Sequence, residues 1–178
     1  MMLFTERLKI IPLTVDQMVT WVEDASVLGH QLGCHLQPVG HLAHFVRKQA
    51  HKALMAGDDW RLCAIWLIIR ADDRLCVGSC SFKNLPDLGR TVEIGYALND
   101  GFEGHGYMTE AIKAVCEWGL AHPNVYMIKA ETETFNKKSE NVLKKVGFAL
   151  FRQGETNLWG LSSAGSSNNR KGSRATAR

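Results

Sequence analysis

The fold is decided by residues 91–115, which read TVEIGYALNDGFEGHGYMTEAIKAV. Residues 91–98 predict a strand, residues 101–106 form a loop with three glycines, and residues 107–121 have the apolar spacing of a helix. A second strand is predicted over residues 125–131. Because the order is strand, helix, strand, we expect one parallel pair joined by a right-handed crossover.

Strands on both sides of this unit extend the predicted sheet. The remaining ones cover residues 3–13, 60–70, 75–84, 148–151 and 156–161. Short turns between residues 60 and 98 predict an antiparallel meander. The sequence therefore predicts an α/β (α+β) fold of one domain, residues 1–161, in which helices flank a mixed sheet of about seven strands.

Three more helices are predicted outside the central unit. The first begins after Thr14, which forms a capping box with Gln17. The second spans about residues 38–56 and stops at a glycine, and the third spans residues 136–146 and stops at Gly147.

The composition is that of a globular protein. Of the 178 residues, 46% are hydrophobic and 22% are charged. The longest apolar run, residues 62–69, is far shorter than the roughly 20 residues of a membrane span. No signal-peptide pattern opens the chain, and five cysteines without a C-x-x-C pair predict reduced thiols. We therefore expect a cytoplasmic protein that does not contact membranes.

The net charge of +3 is concentrated at the C-terminus. Residues 162–178 carry four basic residues and no acidic one, which leaves 17 basic and 18 acidic residues in residues 1–161. The main body is thus slightly acidic, which argues against nucleic-acid binding. Five serines and little apolar content predict that residues 162–178 are a disordered tail.

The glycine loop over residues 101–106 has the properties of a phosphate-binding loop. It precedes a helix N-terminus, whose free N–H groups and positive dipole end favour anions. Its spacing, G-x-x-G-x-G, matches neither the dinucleotide fingerprint nor the ATP-binding loop that ends in G-K-[ST]. From the loop alone, an equally good interpretation is a turn that begins a helix and binds nothing.

Three stretches of the chain resemble the GNAT superfamily of acyl-CoA-dependent N-acyltransferases. They are VEIGYAL (92–98), GHGYMTEAIKAV (104–115) and NKKSENVLKKVGF (136–148). The order and spacing of these stretches are most similar to the branch of ribosomal-protein N-terminal alanine and serine acetyltransferases. The resemblance implies a sheet of about seven strands, acetyl-CoA as co-substrate and a primary amine as acceptor.

The resemblance also implies which residues bind acetyl-CoA. They are Leu98, Gly101, Gly104, His105, Gly106, Tyr107, Met108, Thr109, Asn136 and Ser139. Two positions depart from the family pattern, because Gly101 stands where Arg or Gln is usual and Glu103 places an acid beside the pyrophosphate. Since backbone N–H groups supply much of the phosphate binding, we expect weaker binding rather than none.

Two side chains are candidate catalytic residues. The resemblance implies that Glu93 is the general base, acting through a water, and that Ser139 is the hydroxyl near the departing sulfur. Glu93 lies on a strand face of small residues, where partial desolvation would favour a base. The alternatives are that Glu93 forms a structural salt bridge, and that Asn136 and Ser139 only begin a helix.

Five histidines are concentrated in residues 30–51. His41 and His44 are three residues apart and could share a helix face, but no Cys or carboxylate completes a zinc site at ligand spacing. We therefore predict no metal.

We interpret the chain as an N-acetyltransferase, monomeric or homodimeric, that acts on a protein N-terminus or a small amine. The alternative is a module that binds acyl-CoA without turnover. The slightly acidic body gives a small preference to a cationic acceptor.

Overall fold

A computed structural model of the chain describes residues 1–162, in which eight strands form one mixed sheet. In chain order these strands are β1 (Leu3–Phe4), β2 (Leu8–Pro12), β3 (Ile65–Arg70), β4 (Cys76–Phe82), β5 (Thr91–Leu98), β6 (Met127–Glu133), β7 (Ala149–Arg152) and β8 (Thr156–Ser162). Their order across the sheet is β1-β2-β3-β4-β5-β6-β8-β7, and only β5 and β6 pair in parallel. The predicted mixed α/β fold is confirmed, with eight strands instead of about seven. Apart from Ser162, the predicted tail lies outside the described residues.

Five α-helices and two 3₁₀ helices cover the sheet in this part of the chain. The α-helices are α1 (Val15–Glu23), α2 (Ala25–Leu32), α3 (Ala43–Met55), α4 (Tyr107–Leu120) and α5 (Lys137–Val146), and the 3₁₀ helices are Gly40–Leu42 and Gly57–Leu62. The predicted capping box between Thr14 and Gln17 is present at the start of α1. Among residues 1–162, no helix combines the length and the apolar character needed to cross a membrane.

The extra strand arises because the predicted opening strand is interrupted at Thr5. The Thr5 N–H donates to the Leu8 carbonyl at 3.0 Å, and the Leu8 N–H donates to Thr5 Oγ1 at 3.1 Å. The chain therefore turns between β1 and β2, which pair antiparallel. The prediction of one strand over residues 3–13 is wrong.

Two helical segments also differ from the prediction. The sequence analysis missed α2, although Asp24 caps it by accepting hydrogen bonds from Ser26 N–H and Val27 N–H. Residues 57–62 form a 3₁₀ helix in which acidic residues occupy the first turn, although residues 60–62 are predicted to begin the strand over residues 60–70. Acidic side chains favour a helix N-terminus, so β3 begins only at Ile65.

The core has two layers, one on each face of the sheet. Strand β3 is buried on both sides: Ile65 and Leu67 pack towards α1, α2 and α3, whereas Trp66 and Ile68 pack towards α4 and α5. This alternation is the period of two expected for a strand. Helices therefore pack on both faces of the sheet.

Candidate functional site

Strands β5 and β6 separate soon after they begin. Their parallel pairing covers only Thr91–Glu93 against Met127–Lys129, although β5 continues to Leu98 and β6 to Glu133. Beyond Glu93 the two strands therefore leave a gap between the C-terminal end of β5 and the start of α5. Because both strands run in the same direction, the helices that follow them, α4 and α5, begin beside this gap.

A cleft of about 670 Å³ occupies the gap. We call it the glycine-loop cleft, since the loop before α4 forms one wall and α5 the other. Seven of the predicted site residues line it, namely Leu98, Gly104, Gly106, Met108, Thr109, Asn136 and Ser139. The predicted Gly101, His105 and Tyr107 belong to the same loop and helix start but are not among the residues that line the cleft. The structure thus brings together residues from three separate stretches of the sequence.

The glycine loop has the conformation of an anion-binding turn. Gly101, Gly104 and Gly106 have φ values of 85°, 81° and 80°, which L-residues rarely adopt. A Cβ at Gly101 or Gly104 would meet no other atom within 4 Å, so the loop backbone is open to a ligand. Directly after the loop, α4 begins with N–H groups that have no intrahelical partner. These features fit a pyrophosphate.

Two arginines contact the glycine loop and the start of α4. Arg7 donates to the His105 carbonyl at 3.0 Å and forms an ion pair with Glu110 of α4 at 2.7 Å. Arg70 donates to the Tyr107 hydroxyl at 3.3 Å. The His105 ring stacks on the Tyr107 ring, with 5.5 Å between centroids. The sequence analysis missed both arginines, because each is distant from the loop along the chain.

Glu103, which departs from the family pattern, forms an ion pair with Lys138 of α5. Both residues line the glycine-loop cleft, so the pair crosses from the loop to the opposite wall. Lys145 also lines this cleft. The carboxylate of Glu103 is therefore accompanied by cationic side chains of the kind that bind phosphates.

A second cleft, of about 210 Å³, lies on the other side of β5, and we call it the apolar cleft. Side chains of α1, α3 and β3 line it, together with Leu42, and face the backbone of β4 and β5. An adjoining cleft of about 320 Å³ shares Trp21, Leu42, Ser79 and Ala97 with it and extends past Leu98 towards Asp100. Tyr96 and Ala97 line both the apolar cleft and the glycine-loop cleft, so the two clefts meet at this part of β5.

Glu93 lies on the face of β5 opposite the buried Val92 and Ile94. Its carboxylate is 2.6 Å from Lys83 Nζ and 3.9 Å from Lys129 Nζ, and its side chain is 20% exposed. It does not line a cleft itself, whereas Gly95, on the same strand face, lines the apolar cleft. If Glu93 has the structural role considered above as an alternative, Lys83 is its salt-bridge partner.

Asn136, Ser139 and Tyr96 meet at the other wall. Asn136 Oδ1 accepts a hydrogen bond from the Ser139 N–H at 3.1 Å. Asn136 thus caps α5, as one of the two predicted interpretations of this residue expects. The Tyr96 hydroxyl donates to the Ser139 carbonyl at 3.1 Å and so connects β5 to α5 across the cleft. Burial raises the pKa of Tyr96 to about 12, so the phenol is protonated at neutral pH. The Tyr96 side chain is not among the predicted site residues, because its contact with Ser139 joins positions 43 residues apart.

The histidines and cysteines do not assemble into a cluster in the described chain. Within residues 1–162, no three His, Cys, Asp or Glu side chains come together as metal ligands. His41 lines the adjoining cleft, and His51 lies on α3. All five cysteines are unpaired thiols, and burial raises the pKa of Cys80, beside the apolar cleft, to about 12.

Comparison with known proteins identifies one family. A family profile described as acetyltransferase (GNAT) domain matches residues 7–149. The uncharacterized N-acetyltransferase YjdG of Bacillus subtilis (strain 168) is 35% identical over 85 residues, which cover 48% of this chain and 51% of that protein. The chain thus aligns with about half the length of the curated relatives that it matches.

Two solved structures have the same fold over nearly the whole described chain. The ribosomal-protein-S5-alanine acetyltransferase from Vibrio fischeri superposes with a TM-score of 0.66 at 17% identity, covering 91% of this chain and 96% of that one. RimL, a ribosomal L7/L12 alpha-N-protein acetyltransferase solved in complex with coenzyme A, gives a TM-score of 0.65 at 15% identity, covering 91% and 98%. At these identities the likeness shows the fold alone.

Proposed function

Because the chain belongs to the acetyltransferase (GNAT) domain family, we propose that it transfers an acetyl group from acetyl-CoA to a primary amine. The observation that carries this proposal is the meeting of two clefts at Tyr96 and Ala97. One cleft has a glycine loop and a helix N-terminus suited to a pyrophosphate, and the other is open to a second molecule. Two reactants bound from opposite sides of β5 would meet at this strand, which supplies the proximity that acyl transfer needs.

In this proposal the glycine-loop cleft binds acetyl-CoA. The backbone N–H groups of the loop and the start of α4 hold the pyrophosphate, and the Thr109 hydroxyl adds a side-chain contact. The remaining predicted ligands, among them Asn136 and Ser139 on the opposite wall, contact the rest of the molecule. The ammonium groups of Lys138 and Lys145 offset the negative charge of Glu103. They support the binding of acetyl-CoA, although Gly101 lacks the side chain that is usual in the family.

The chemistry requires one bond to form and one to break. The neutral amine nitrogen bonds to the thioester carbonyl carbon, the carbon–sulfur bond breaks, and the products are an amide and free CoA. Glu93 takes the proton lost by the nitrogen, through a water that spans the distance from the strand face to the cleft. The Ser139 hydroxyl hydrogen-bonds the sulfur and gives it a proton as the carbon–sulfur bond breaks, and a solvent water replaces the proton on the hydroxyl. A backbone N–H of β5 near Tyr96–Leu98 stabilises the carbonyl oxygen.

Protein N-termini and small amines are both acceptors that this arrangement supports. The structural neighbours described above act on ribosomal proteins according to their names, which favours a protein N-terminus. We place the reaction in the cytoplasm, in accord with five unpaired cysteines. Residues 1–161 form the acetyltransferase domain in this proposal, and residues 162–178 are not required for transfer.

The test is an assay of thiol release from acetyl-CoA against a panel of amines and peptides. We expect release with at least one amine, and a melting temperature that rises with acetyl-CoA because the ligand binds only the folded state. A chain that ends at Leu161 should behave as the full chain does. A raised melting temperature without thiol release from any acceptor would instead indicate an acyl-CoA-binding module.

A further inference from the structure

In the part of the chain that the structure describes, no charged side chain lines the apolar cleft, so none could bind a second ammonium group there. Among the described residues, none of those that line it is Asp, Glu, Lys, Arg or His. Val46 and Ile65, which are 1% and 3% exposed, belong to its lining, as do Leu42 and Phe45. We infer that the acceptor is a primary amine with an uncharged aliphatic or aromatic group beside the amine, and that this group occupies the apolar cleft. The inference rests on the proposed function and specifies its acceptor.

The size of the apolar cleft limits that group. Its volume of about 210 Å³ admits a small apolar group rather than a large one. A chain of four to six carbons, or one aromatic ring, fits this volume. The amine itself would lie near Ala97, which lines both this cleft and the glycine-loop cleft.

The charges around the cleft argue against polyamines and aminoglycosides. Lys83 and Lys129 both face the one carboxylate of Glu93, and the Lys52 ammonium donates to the Lys83 carbonyl. Two ammonium groups therefore face the single carboxylate of Glu93, and a third, that of Lys52, is bound to the neighbouring Lys83 carbonyl. In the adjoining cleft, the described lining includes one acid, Asp100, at the exposed end. A second cation on the acceptor would be desolvated without a carboxylate to pair with it.

This inference differs from the small preference for a cationic acceptor that the net charge suggested. The acidic excess of residues 1–161 is one charge, and the residues that line the apolar cleft contribute nothing to it. The net charge of the protein affects the rate at which a charged acceptor approaches it from a distance. The choice between acceptors depends instead on contacts inside the cleft.

The experiment compares thiol release for a homologous series of linear amines, from ethylamine to hexylamine, with release for spermidine. Each buried methylene is worth about 0.8 kcal/mol, which corresponds to about fourfold in kcat/KM. We expect kcat/KM to rise about 10²-fold across the series and to exceed that for spermidine. A parallel series of peptides that begin with alanine, valine or leucine should show the same increase if the acceptor is a protein N-terminus.

Two variants test the location of the group. Phe45→Ala enlarges the cleft and should reduce the gain per methylene, and Leu42→Asp adds a carboxylate at the rim and should favour spermidine over hexylamine. Leu42 is 37% exposed, so this variant is expected to fold even if Phe45→Ala does not. Val19→Ser is the control, because Val19 is exposed on α1 and lines neither the apolar nor the adjoining cleft.

The outcomes separate the two proposals. Equal kcat/KM for ethylamine and hexylamine with faster turnover of spermidine would overturn the inference, while leaving acetyl transfer in place. A rising series that Phe45→Ala and Leu42→Asp leave unchanged would also overturn it, because the apolar group would then bind elsewhere. An absence of thiol release with every amine and peptide would contradict the proposed function itself.

Discussion

Arg7 Nη2 lies 2.7 Å from Glu110 Oε2, which joins the turn between β1 and β2 to the first turn of α4. Glu110 also accepts hydrogen bonds from the Thr5 hydroxyl at 2.6 Å and from the Arg7 N–H at 2.9 Å. The same guanidinium donates to the His105 carbonyl in the glycine loop. One carboxylate and one guanidinium thus fix the loop conformation from a segment about 100 residues away.

We predict that Arg7→Met weakens acetyl-CoA binding without abolishing it. The substitution removes the donor to the His105 carbonyl, and loss of one charge-assisted hydrogen bond is expected to raise the dissociation constant about tenfold. Isothermal titration calorimetry with acetyl-CoA measures this dissociation constant. The control is Arg47→Met, which removes an exposed arginine on α3. Equal affinity in Arg7→Met and wild type would show that the loop holds its conformation without this contact.

The Glu110 carboxylate should make stability depend on pH. Burial acts to raise its pKa, but hydrogen bonds from Thr5 and Arg7 outweigh burial, so the pKa lies below the ordinary value of 4.5. A carboxyl whose pKa is lowered by folding stabilises the protein above its unfolded pKa, and this contribution is lost as pH falls through the folded pKa. The melting temperature of wild type should therefore exceed that of Glu110→Gln at pH 7, and the difference should shrink as pH falls below 4.5.

Glu117→Gln is the control for this measurement, since Glu117 is exposed on the same helix. Its melting temperature should follow that of wild type across the pH range. A difference between wild type and Glu110→Gln that stays constant down to low pH would contradict an ionised role for Glu110.

Some features of the site could be predicted from the sequence and others could not. Strand β5 has the predicted bounds, because its alternating pattern and the following glycines are local signals. The hydrogen bond from Tyr96 to Ser139 could not be predicted, since it depends on where β5 and β6 separate. Likewise, the ion pair of Glu93 with Lys83, the residue that follows β4, depends on the register between β4 and β5, which sequence spacing alone does not give.

The glycine loop offers a test with a closely matched control. Gly104→Val should abolish the rise in melting temperature with acetyl-CoA, because a branched side chain would occupy the space open to the phosphates. Gly57 also has a positive φ, and a Cβ at this position would meet no atom within 4 Å, but Gly57 lies outside the glycine-loop cleft. Gly57→Val therefore has a similar backbone strain and should keep the ligand-induced rise. A rise that persists in Gly104→Val would remove the loop from the binding site.

Glu93→Gln should lower kcat by about 10²–10⁴-fold, the usual effect of losing a general base. Acetyl-CoA affinity should change little, because Glu93 does not line the glycine-loop cleft. Lys83→Met removes the ion-pair partner and leaves the carboxylate, and we expect it to lower kcat by less than about tenfold. Steady-state kinetics with a saturating acceptor measure both. If the two variants lose kcat equally, Glu93 has a structural role and another group is the base.

The last prediction distinguishes the Ser139 hydroxyl from the Tyr96 phenol. Tyr96→Phe removes the donor to the Ser139 carbonyl, so the first turn of α5 is less firmly held and acetyl-CoA should bind about two- to tenfold more weakly. Ser139→Ala keeps that bond, because the carbonyl belongs to the backbone, but removes the hydroxyl proposed to contact the sulfur.

We therefore expect Ser139→Ala to cause the larger decrease in kcat. Tyr96→Phe should cause the larger increase in the dissociation constant of acetyl-CoA. Because burial raises the pKa of Tyr96 to about 12, the phenol stays protonated from pH 6 to 10, and the effect of Tyr96→Phe should be constant over that range. Pre-steady-state thiol release and equilibrium binding separate the two quantities. A larger loss of kcat in Tyr96→Phe than in Ser139→Ala would assign the proton donor to the phenol, which lines both clefts, instead of to the serine.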